Sequence, residues 1–298
     1  MDYQTARGGW CTMIEREDLE PPQEIQWCPG CGNFGILRAL KQAVMELSNS
    51  KHEFFLVSGI GQSGKTPHFI NLNGFHTLHG RAIPVATGAH VANTDLKVIV
   101  HGGDGDLLGE GLGHLMHAAR RNVNITCLLH NNGVYGLTKG QYSPTSPHGF
   151  VSKTSPPPTG VPMDPVNPLG VALIGGATFV ARGFAGDIKQ LTELIVDAVK
   201  HPGFALVELM QPCVVFNPKW GWDFFRERVY KLEDDYDNKS KTAALEKSFE
   251  FGDRIPTGVF YKQEKTHFVQ ELQLPEGRLR DHTNDREEIQ NIIDEMLV

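Results

Sequence analysis

Two polar loops in the sequence carry oxygen ligands directly after apolar runs. Asp104 follows the run LKVIVHGG, and Asn132 follows the next apolar run, NITCLLHN. With the backbone carbonyl of Val134, these side chains form a set of hard ligands that suits Mg²⁺, and two phosphate oxygens and a water would complete its octahedral shell. Gly103 and Gly105 leave room for backbone N–H groups to approach a phosphate. The pattern therefore indicates a diphosphate held through magnesium.

The elements around these loops must bring them together. Apolar runs predict strands in EFFLVSGIG, LKVIVHGGDGD, NITCLLHNNGVYG, GATFVARGFAG and FALVELMQPC. Helices are predicted in GILRALKQAVMELS, RAIPVATGAHVANT, residues 111–121 and DIKQLTELIVDAVKH. This alternation indicates an α/β fold with a doubly wound parallel sheet. Because ligands bind at the carboxyl ends of such strands, Asp104 and Asn132 should face one cavity.

Changes in composition suggest how the chain is organised. Residues 1–26 are polar and contain prolines, and we interpret them as an N-terminal arm, whereas residues 27–217 carry the alternating strands and helices. Residues 218–298 are aromatic and charged at first and strongly polar later. We expect a polar C-terminal extension there that packs on a partner subunit. The proline-dense stretch 141–168 is typical of a covering loop or a linker.

Composition and charge argue against several classes of protein. A net charge of -7 and a pI near 6.0 leave no basic surplus for binding nucleic acid. The sequence has no apolar run of transmembrane length and no apolar stretch of signal-peptide type, so we expect no membrane partner and a cytoplasmic location. Five cysteines in such a chain indicate metal or redox chemistry rather than a disulfide framework.

The segment WCPGCG contains two cysteines that suit a metal centre. Cys28 and Cys31 could bind zinc or an iron–sulfur cluster, or could form a redox dithiol. A zinc ribbon would need a second CxxC, which the sequence does not contain. Cys213 ends the run FALVELMQPC at the same sheet edge and is a candidate third ligand. Cys127 lies inside the apolar run ITCLLH and is expected in the core.

Six segments, in this order along residues 27–218, resemble the β subunit of the 2-oxoacid:ferredoxin oxidoreductases, especially the 2-oxoglutarate type. They are WCPGCGNFGIL, SGIGQSGKTPHF, HTLHGRAIPVATG, GGDGDLLGEG, YGLTKGQYSPTS and QPCVVFNP. GDG alone is also typical of an ordinary tight turn, but followed by NN it is similar to the thiamine-diphosphate motif. The resemblance implies CoA-dependent oxidative decarboxylation of 2-oxoglutarate to succinyl-CoA and CO₂, or the reverse carboxylation. Electrons would pass through a 4Fe–4S cluster to ferredoxin.

The resemblance also implies roles for individual residues. The residues expected to act on substrate are Lys65, Leu137 and Lys139, with Gln141 shaping the pocket. The charge of Lys65 would suit the distal carboxylate of 2-oxoglutarate. The residues expected to bind thiamine diphosphate are Gly61, His79, Gly103, Asp104, Gly105, Asp106, Asn132, Val134, Gly136 and Leu137, and the magnesium ligands among them are Asp104, Asn132 and Val134. For His79, Gly80 and Arg81, capping of a helix start is an equally good interpretation.

The cluster ligands implied by the resemblance are Cys28, Cys31 and Cys213. The family usually carries a cysteine as fourth ligand in the SGIG-C-SGK loop, where this sequence has Gln62. A glutamine amide is a poor ligand for a soft iron–sulfur site. Three alternatives remain open: an unusual fourth ligand, a ligand from Cys11 or from a partner subunit, and an altered or absent cluster.

Thiamine enzymes also need a carboxylate that binds the aminopyrimidine, normally from a separate domain. We find no second βαβ domain in the 298 residues, so an α subunit is expected to contribute this glutamate in a heteromer. Ferredoxin, the 2-oxo acid and coenzyme A complete the expected partners. The alternatives are a pyruvate-specific or broad-specificity enzyme of the same family and, more remotely, a structural subunit that binds zinc.

Overall fold

The chain forms a large, mostly parallel sheet. The computed structural model describes residues 14–21, 23–282 and 286–296. The strands are β1 (Phe54–Ser58), β2 (Asn73–His76), β3 (Lys97–Gly103), β4 (Thr126–Asn131), β5 (Val134–Tyr135), β6 (Gln141–Tyr142), β7 (Phe179–Phe184), β8 (Ala205–Met210), β9 (Val229–Lys231) and β10 (Ile255–Lys262). Eight strands form one sheet in the order β2-β1-β3-β4-β8-β7-β10-β9, and β5 pairs with β6 separately. Within the large sheet, β7 and β10 pair antiparallel and the other neighbours pair parallel.

Helices cover both faces of this sheet. They are α1 (Asn33–Leu47), α2 (Ala82–Ala92), α3 (Leu112–Arg121), α4 (Pro168–Gly175), α5 (Ile188–Lys200), α6 (Trp222–Arg228), α7 (Lys241–Ser248), α8 (Phe268–Glu271) and α9 (Arg286–Met296). The core on one face includes α1 and α5, and the core on the other includes α2, α3 and α4. Because both faces are covered, β4, β7 and β8 are buried along their whole length and their sequences are largely apolar.

The doubly wound α/β fold expected from the sequence is confirmed. One local difference concerns the cofactor loop, where a π-helical turn, Gly105–Glu110, precedes α3. Such turns are frequent at functional sites. Within the described part of the chain, no helix is both long enough and apolar enough to cross a membrane.

The two ends of the chain pack on the sheet more closely than the composition suggests. In the described part of the arm, Ile14 and Leu19 are buried in the core that α1 and α5 also share. At the other end, β9 and β10 belong to the large sheet. The segment after residue 218 therefore contributes two strands to the large sheet of its own chain, and its packing on a partner subunit stays a prediction. The polar composition of its surface concealed the apolar strand β10.

The proline-rich stretch 141–168 follows a compact path over the sheet edge. Its ends are joined by a hydrogen bond of 2.8 Å from Val166 N to Pro144 O. In the middle, Gly149 and Val161 are joined by a backbone bond of 2.8 Å. The stretch ends at α4, where the Asn167 side chain accepts a hydrogen bond from Gly170 N and caps the helix. Ser143 and Thr145, near the start of this stretch, therefore lie over the carboxyl ends of β3 and β4.

Candidate functional site

A cavity at the carboxyl ends of β3 and β4 brings the expected cofactor residues together. The two strands are neighbours, and Gly103 pairs in register with His130. The ten residues expected from the sequence to bind thiamine diphosphate all line this cavity: Gly61, His79, Gly103, Asp104, Gly105, Asp106, Asn132, Val134, Gly136 and Leu137. We call it the diphosphate cavity.

Asp104 is buried at the base of the diphosphate cavity and is held by two hydroxyl groups. Ser143 Oγ and Thr145 Oγ1 each lie 2.5 Å from Asp104 Oδ2. Burial raises the pKa of Asp104 to about 6, although these hydrogen bonds act in the opposite direction. A bound cation would replace the lost solvation of the carboxylate, so the environment suits a metal ligand.

Thr145 also connects Asp104 to a buried ion pair. Thr145 Oγ1 lies 2.8 Å from Asn131 Oδ1, and Asn131 Nδ2 donates to Glu208 Oε1 at 2.7 Å. Glu208 Oε2 in turn accepts a bond of 2.7 Å from Arg182 Nε, and both charged side chains are fully buried. The single hydroxyl proton of Thr145 has two acceptors within reach, Asp104 and Asn131. These five residues form one continuous polar chain behind the cavity.

Asn132 is fixed by a local turn and by contacts with the next strand. Its Oδ1 accepts from Val134 N at 3.0 Å, and its Nδ2 donates to Gln211 Oε1 at 2.9 Å. Gly133 between them has φ +68°, and an added Cβ would lie 2.9 Å from the Trp220 ring. Glycine is therefore needed at this turn. These two hydrogen bonds orient the Asn132 side chain so that its amide oxygen points toward Val134 N and its amide nitrogen toward Gln211.

Asp106 organises the opposite wall of the diphosphate cavity. Its Oδ1 accepts hydrogen bonds from Ile60 N at 3.0 Å and Gly80 N at 2.9 Å, and it lies 2.7 Å from His79 Nδ1. Burial raises its pKa, against these contacts. Asp106 thus joins the loops after β1 and β2 to the π-helical turn. The Tyr135 hydroxyl closes the same wall by donating to Gly105 O at 3.1 Å.

The oxygen groups of this cavity fit magnesium and a diphosphate. A carboxylate, an amide oxygen and a carbonyl are ligands typical of Mg²⁺ in proteins, and all three come from residues of the cavity lining. Gly105 leaves no space for a side chain, since an added Cβ would lie 2.4 Å from the Tyr135 ring. Glycine at this position therefore permits the close approach of Tyr135 to the loop.

Three cysteines line a second cavity, which we call the cysteine cavity. Cys28, Cys31 and Cys213 lie around it together with Gln62. Burial raises the pKa of Cys31 to about 11, and the neighbouring thiols of Cys213 and Cys28 act in the same direction. In the described residues, no group of three or more His, Cys, Asp or Glu side chains is arranged to hold a single metal ion.

Backbone contacts fasten the CxxC loop beside the segment of Cys213. Gly32 N donates to Pro212 O at 3.0 Å, and an added Cβ on Gly32 would lie 2.6 Å from the Pro212 ring. The glycine after Cys31 therefore permits this approach. From α6, Trp222 Nε1 donates to Gly30 O at 2.7 Å. The position of Cys28 and Cys31 thus depends on the C-terminal part of the chain as well.

A buried pair of histidines lies on the neighbouring strands β3 and β4. His101 Nδ1 lies 3.1 Å from His130 Nε2, and His130 Nδ1 lies 2.9 Å from Asn33 Oδ1, at the start of α1. Burial lowers the pKa of His101 to about 3 and lowers that of His130 as well, so both rings are neutral. His101 is thus a buried packing and hydrogen-bonding residue.

The residues expected to face the substrate lie at different depths. Leu137 lines the diphosphate cavity and is 40% exposed. Lys139 is exposed, with φ +80°, and Gln141 accepts a hydrogen bond of 2.6 Å from Thr138 Oγ1. Lys65 is half-buried in the 3₁₀ turn Ser63–His68 and lies outside the cavity lining, as does Arg81, which contacts His114.

Sequence reasoning did not identify the polar chain behind Asp104. Thr145 lies in the segment YSPTS, and Arg182 and Glu208 lie inside apolar strands that pair in register. Charged residues within two neighbouring buried strands are the signal that could have revealed the pair, because a buried charge requires a partner. Asn131 and Thr145 also line a larger cavity, with the ion pair and Trp220 among its other lining residues.

Two family models match this chain and show its class of enzyme. Residues 57–209 match the family described as thiamine pyrophosphate enzyme, C-terminal TPP binding domain. Residues 213–275 match the C-terminal region of the pyruvate ferredoxin oxidoreductase beta subunit. The chain is therefore a thiamine-diphosphate enzyme subunit, and its C-terminal match begins before residue 218.

The relatives narrow this class to one family. A 2-oxoacid:ferredoxin oxidoreductase subunit beta from a Sulfolobus species is 51% identical over 82% of this chain and 83% of its own. The 2-oxoglutarate oxidoreductase subunit KorB of Mycobacterium tuberculosis is 47% identical over 67% of this chain and 53% of its own. The chain belongs to the β subunits of the 2-oxoacid:ferredoxin oxidoreductases.

A solved structure agrees with this assignment. It is a 2-oxoglutarate:ferredoxin oxidoreductase from Magnetococcus marinus with 2-oxoglutarate, coenzyme A and succinyl-CoA bound. The similarity has a TM-score of 0.84 and 42% identity, and it covers 90% of this chain and 94% of the other. The family resemblance expected from the six segments is thus confirmed.

Proposed function

We propose that this chain is the β subunit of a 2-oxoglutarate:ferredoxin oxidoreductase. The complex would convert 2-oxoglutarate and coenzyme A to succinyl-CoA and CO₂, or catalyse the reverse carboxylation, and would exchange electrons with ferredoxin. The main support is the adjacency of the two cavities, which share Gln62, Asn132 and Gly136 as lining residues. A carbon centre oxidised in one cavity would lie next to an electron acceptor in the other.

Asp104, Asn132 and the carbonyl of Val134 are proposed to hold Mg²⁺, and through it the diphosphate. Thiamine diphosphate, when bound, supplies the nucleophile and the electron sink for decarboxylation. The chain positions the diphosphate, since Asp106 fixes the loops that carry Ile60 and Gly80 around the cavity.

Cys28, Cys31 and Cys213 are proposed to hold the 4Fe–4S cluster. Thiolates are the preferred ligands of iron–sulfur clusters, and these three line one cavity beside the diphosphate cavity. We further propose that an α subunit completes the active site by donating a carboxylate to the aminopyrimidine. The isolated β chain is then expected to turn over no 2-oxo acid.

A pyruvate-specific or broad-specificity enzyme is the second candidate. It is favoured by the C-terminal match to pyruvate ferredoxin oxidoreductase and by relatives named for 2-oxo acids in general. The structural neighbour with bound 2-oxoglutarate supports the first candidate. We propose that Lys65 favours a dicarboxylic substrate. Its side chain would reach the distal carboxylate of this substrate in the assembled complex.

Substrate profiling of the co-purified complex tests both candidates. We expect kcat/KM for 2-oxoglutarate to exceed that for pyruvate, and Lys65→Met to raise KM for 2-oxoglutarate by about tenfold or more, since hydrogen bonds to charged groups contribute about 1.5–3 kcal/mol. The exposed Lys153→Met serves as the control. Equal use of both substrates would support the second candidate. Zinc without thiamine diphosphate in the purified complex would instead indicate a structural subunit.

A further inference from the structure

The wall between the two cavities contains a side chain with an unusual environment. Gln62 lines both the diphosphate cavity and the cysteine cavity. Its Oε1 is buried and has no hydrogen-bond partner among the described residues. An unpaired buried amide oxygen is costly, so a hydrogen-bond donor or a metal that accepts its lone pair is expected next to it.

The backbone of Gln62 is held in place beside the CxxC loop. Its carbonyl accepts a hydrogen bond of 2.8 Å from Trp27 Nε1, and Trp27 immediately precedes Cys28. On the other side, an added Cβ on Gly136 would lie 3.7 Å from Gln62 Cγ. The side chain is therefore confined between the CxxC loop and the loop after Asn132, with its oxygen enclosed.

The described cysteines provide three thiolates for this site. Cys127 is fully buried in the core on the α2 and α3 face, whereas Cys31 packs against the core on the α1 and α5 face. Cys127 therefore lies on the opposite side of the sheet from Cys31. Cys11, the remaining cysteine of the sequence, lies outside the described residues. Among the described residues that line the cysteine cavity, a fourth ligand must then come from a residue other than cysteine.

We propose that Gln62 Oε1 is the fourth ligand of a 4Fe–4S cluster that Cys28, Cys31 and Cys213 hold by the other three irons. This inference rests on the proposed function, which assigns the cluster to the cysteine cavity. An amide oxygen is a hard, neutral ligand and binds iron of a sulfide cluster weakly compared with thiolate. The iron that Gln62 would bind is consequently the labile one, and Gln62 itself lines both cavities.

Lability of one iron has a defined chemical consequence. Under mild oxidation by ferricyanide, a 4Fe–4S cluster of charge 2+ releases Fe²⁺ and gives up one electron, leaving a 3Fe–4S cluster of charge 1+. The electron reduces ferricyanide to ferrocyanide. Ferrous iron and dithionite reverse both changes. A fourth thiolate in place of the amide should slow this loss, because thiolate binds the iron of a sulfide cluster more strongly.

The experiment uses the anaerobically purified complex, with EPR spectra and iron and sulfide counts before and after a stoichiometric amount of ferricyanide. Wild type is expected to yield a 3Fe–4S signal and released Fe²⁺, and to recover with ferrous iron. Gln62→Cys should lose less iron than wild type under the same treatment. Gln62→Ala, which has no donor, should lose the iron faster than wild type. Cys11→Ser should behave as wild type.

Three results would overturn the proposal while leaving the cluster assignment intact. They are a wild-type cluster as resistant as that of Gln62→Cys, equal iron loss in wild type and Gln62→Ala, and a change in iron loss caused by Cys11→Ser. Absence of iron and sulfide from the wild-type complex would instead overturn the proposed function. Iron and sulfide counts thus separate the failure of the two proposals.

Discussion

Thr145 Oγ1 lies 2.5 Å from Asp104 Oδ2 and 2.8 Å from Asn131 Oδ1, so one hydroxyl joins the proposed magnesium ligand to the polar interior. Because Asn131 is itself bound to Glu208, the position of this hydroxyl is set by the core rather than by solvent. We therefore expect Thr145 to act as a positioning residue, which affects the cofactor through Asp104.

Removal of this hydroxyl should weaken cofactor binding without unfolding the protein. We expect Thr145→Val to lower the magnesium-dependent affinity for thiamine diphosphate by about 10- to 100-fold, as for other residues that orient metal ligands. Thr145→Ser should restore most of it. Titration of the apo complex by tryptophan fluorescence measures the change.

Thr126→Val is the matched control, because Thr126 is also a buried threonine, but it lies at the amino end of β4, away from the cavity, and bonds Ala198 O at 3.2 Å. It should leave cofactor affinity unchanged. If Thr145→Val binds the cofactor as wild type does, the hydroxyl does not position Asp104.

If Asp104 binds the metal as proposed, its raised pKa should set a pH limit on cofactor binding. Burial raises this pKa to about 6, and only the ionised carboxylate can bind Mg²⁺, so protons compete with the metal below that pH. Affinity should fall by about tenfold for each pH unit below about 6. Thr145→Val removes a hydrogen bond that lowers the pKa, and it should therefore move the midpoint to higher pH.

Cofactor titrations between pH 5 and about 8 would measure this midpoint. Thr126→Val should leave it in place. A midpoint that is the same in wild type and Thr145→Val would show that a group other than Asp104 governs the pH dependence.

The loops that hold the candidate site could be predicted because strand ends have a fixed relationship in a parallel sheet. Asp104 and Asn132 follow neighbouring strands, and their side chains meet at one edge. Thr145 could not be placed, since it comes from a proline-rich loop whose path no periodicity specifies. Gln62 was noted for its residue type, but its unpartnered oxygen depends on packing that a sequence does not reveal.

The ion pair of Arg182 and Glu208 should be strongly coupled. Arg182→Met leaves a fully buried carboxylate unpaired, which costs about 3–5 kcal/mol. In the double variant, Glu208→Gln removes this charge, and the glutamine oxygen still accepts a hydrogen bond from Asn131 Nδ2. We expect the double variant to be less destabilised than the sum of the two single variants.

Thermal unfolding of the complex, with each single variant and the double variant, measures this coupling. Strict additivity of the three changes in unfolding temperature would contradict it, since residues in direct contact are expected to deviate from additivity.

The strand β10 makes the C-terminal segment part of the fold, and Phe260 is the residue that tests this. Phe260 is 0% exposed in the core beside α2 and α3, and its ring lies 5.2 Å from the Arg182 guanidinium carbon. Phe260→Ala should destabilise the complex by about 3–5 kcal/mol, the usual cost of a buried phenylalanine. Phe249, in the same segment, is 68% exposed, so Phe249→Ala should have little effect. Thermal unfolding measures both, and equal small shifts would mean that the segment after residue 218 packs loosely and is not part of the core.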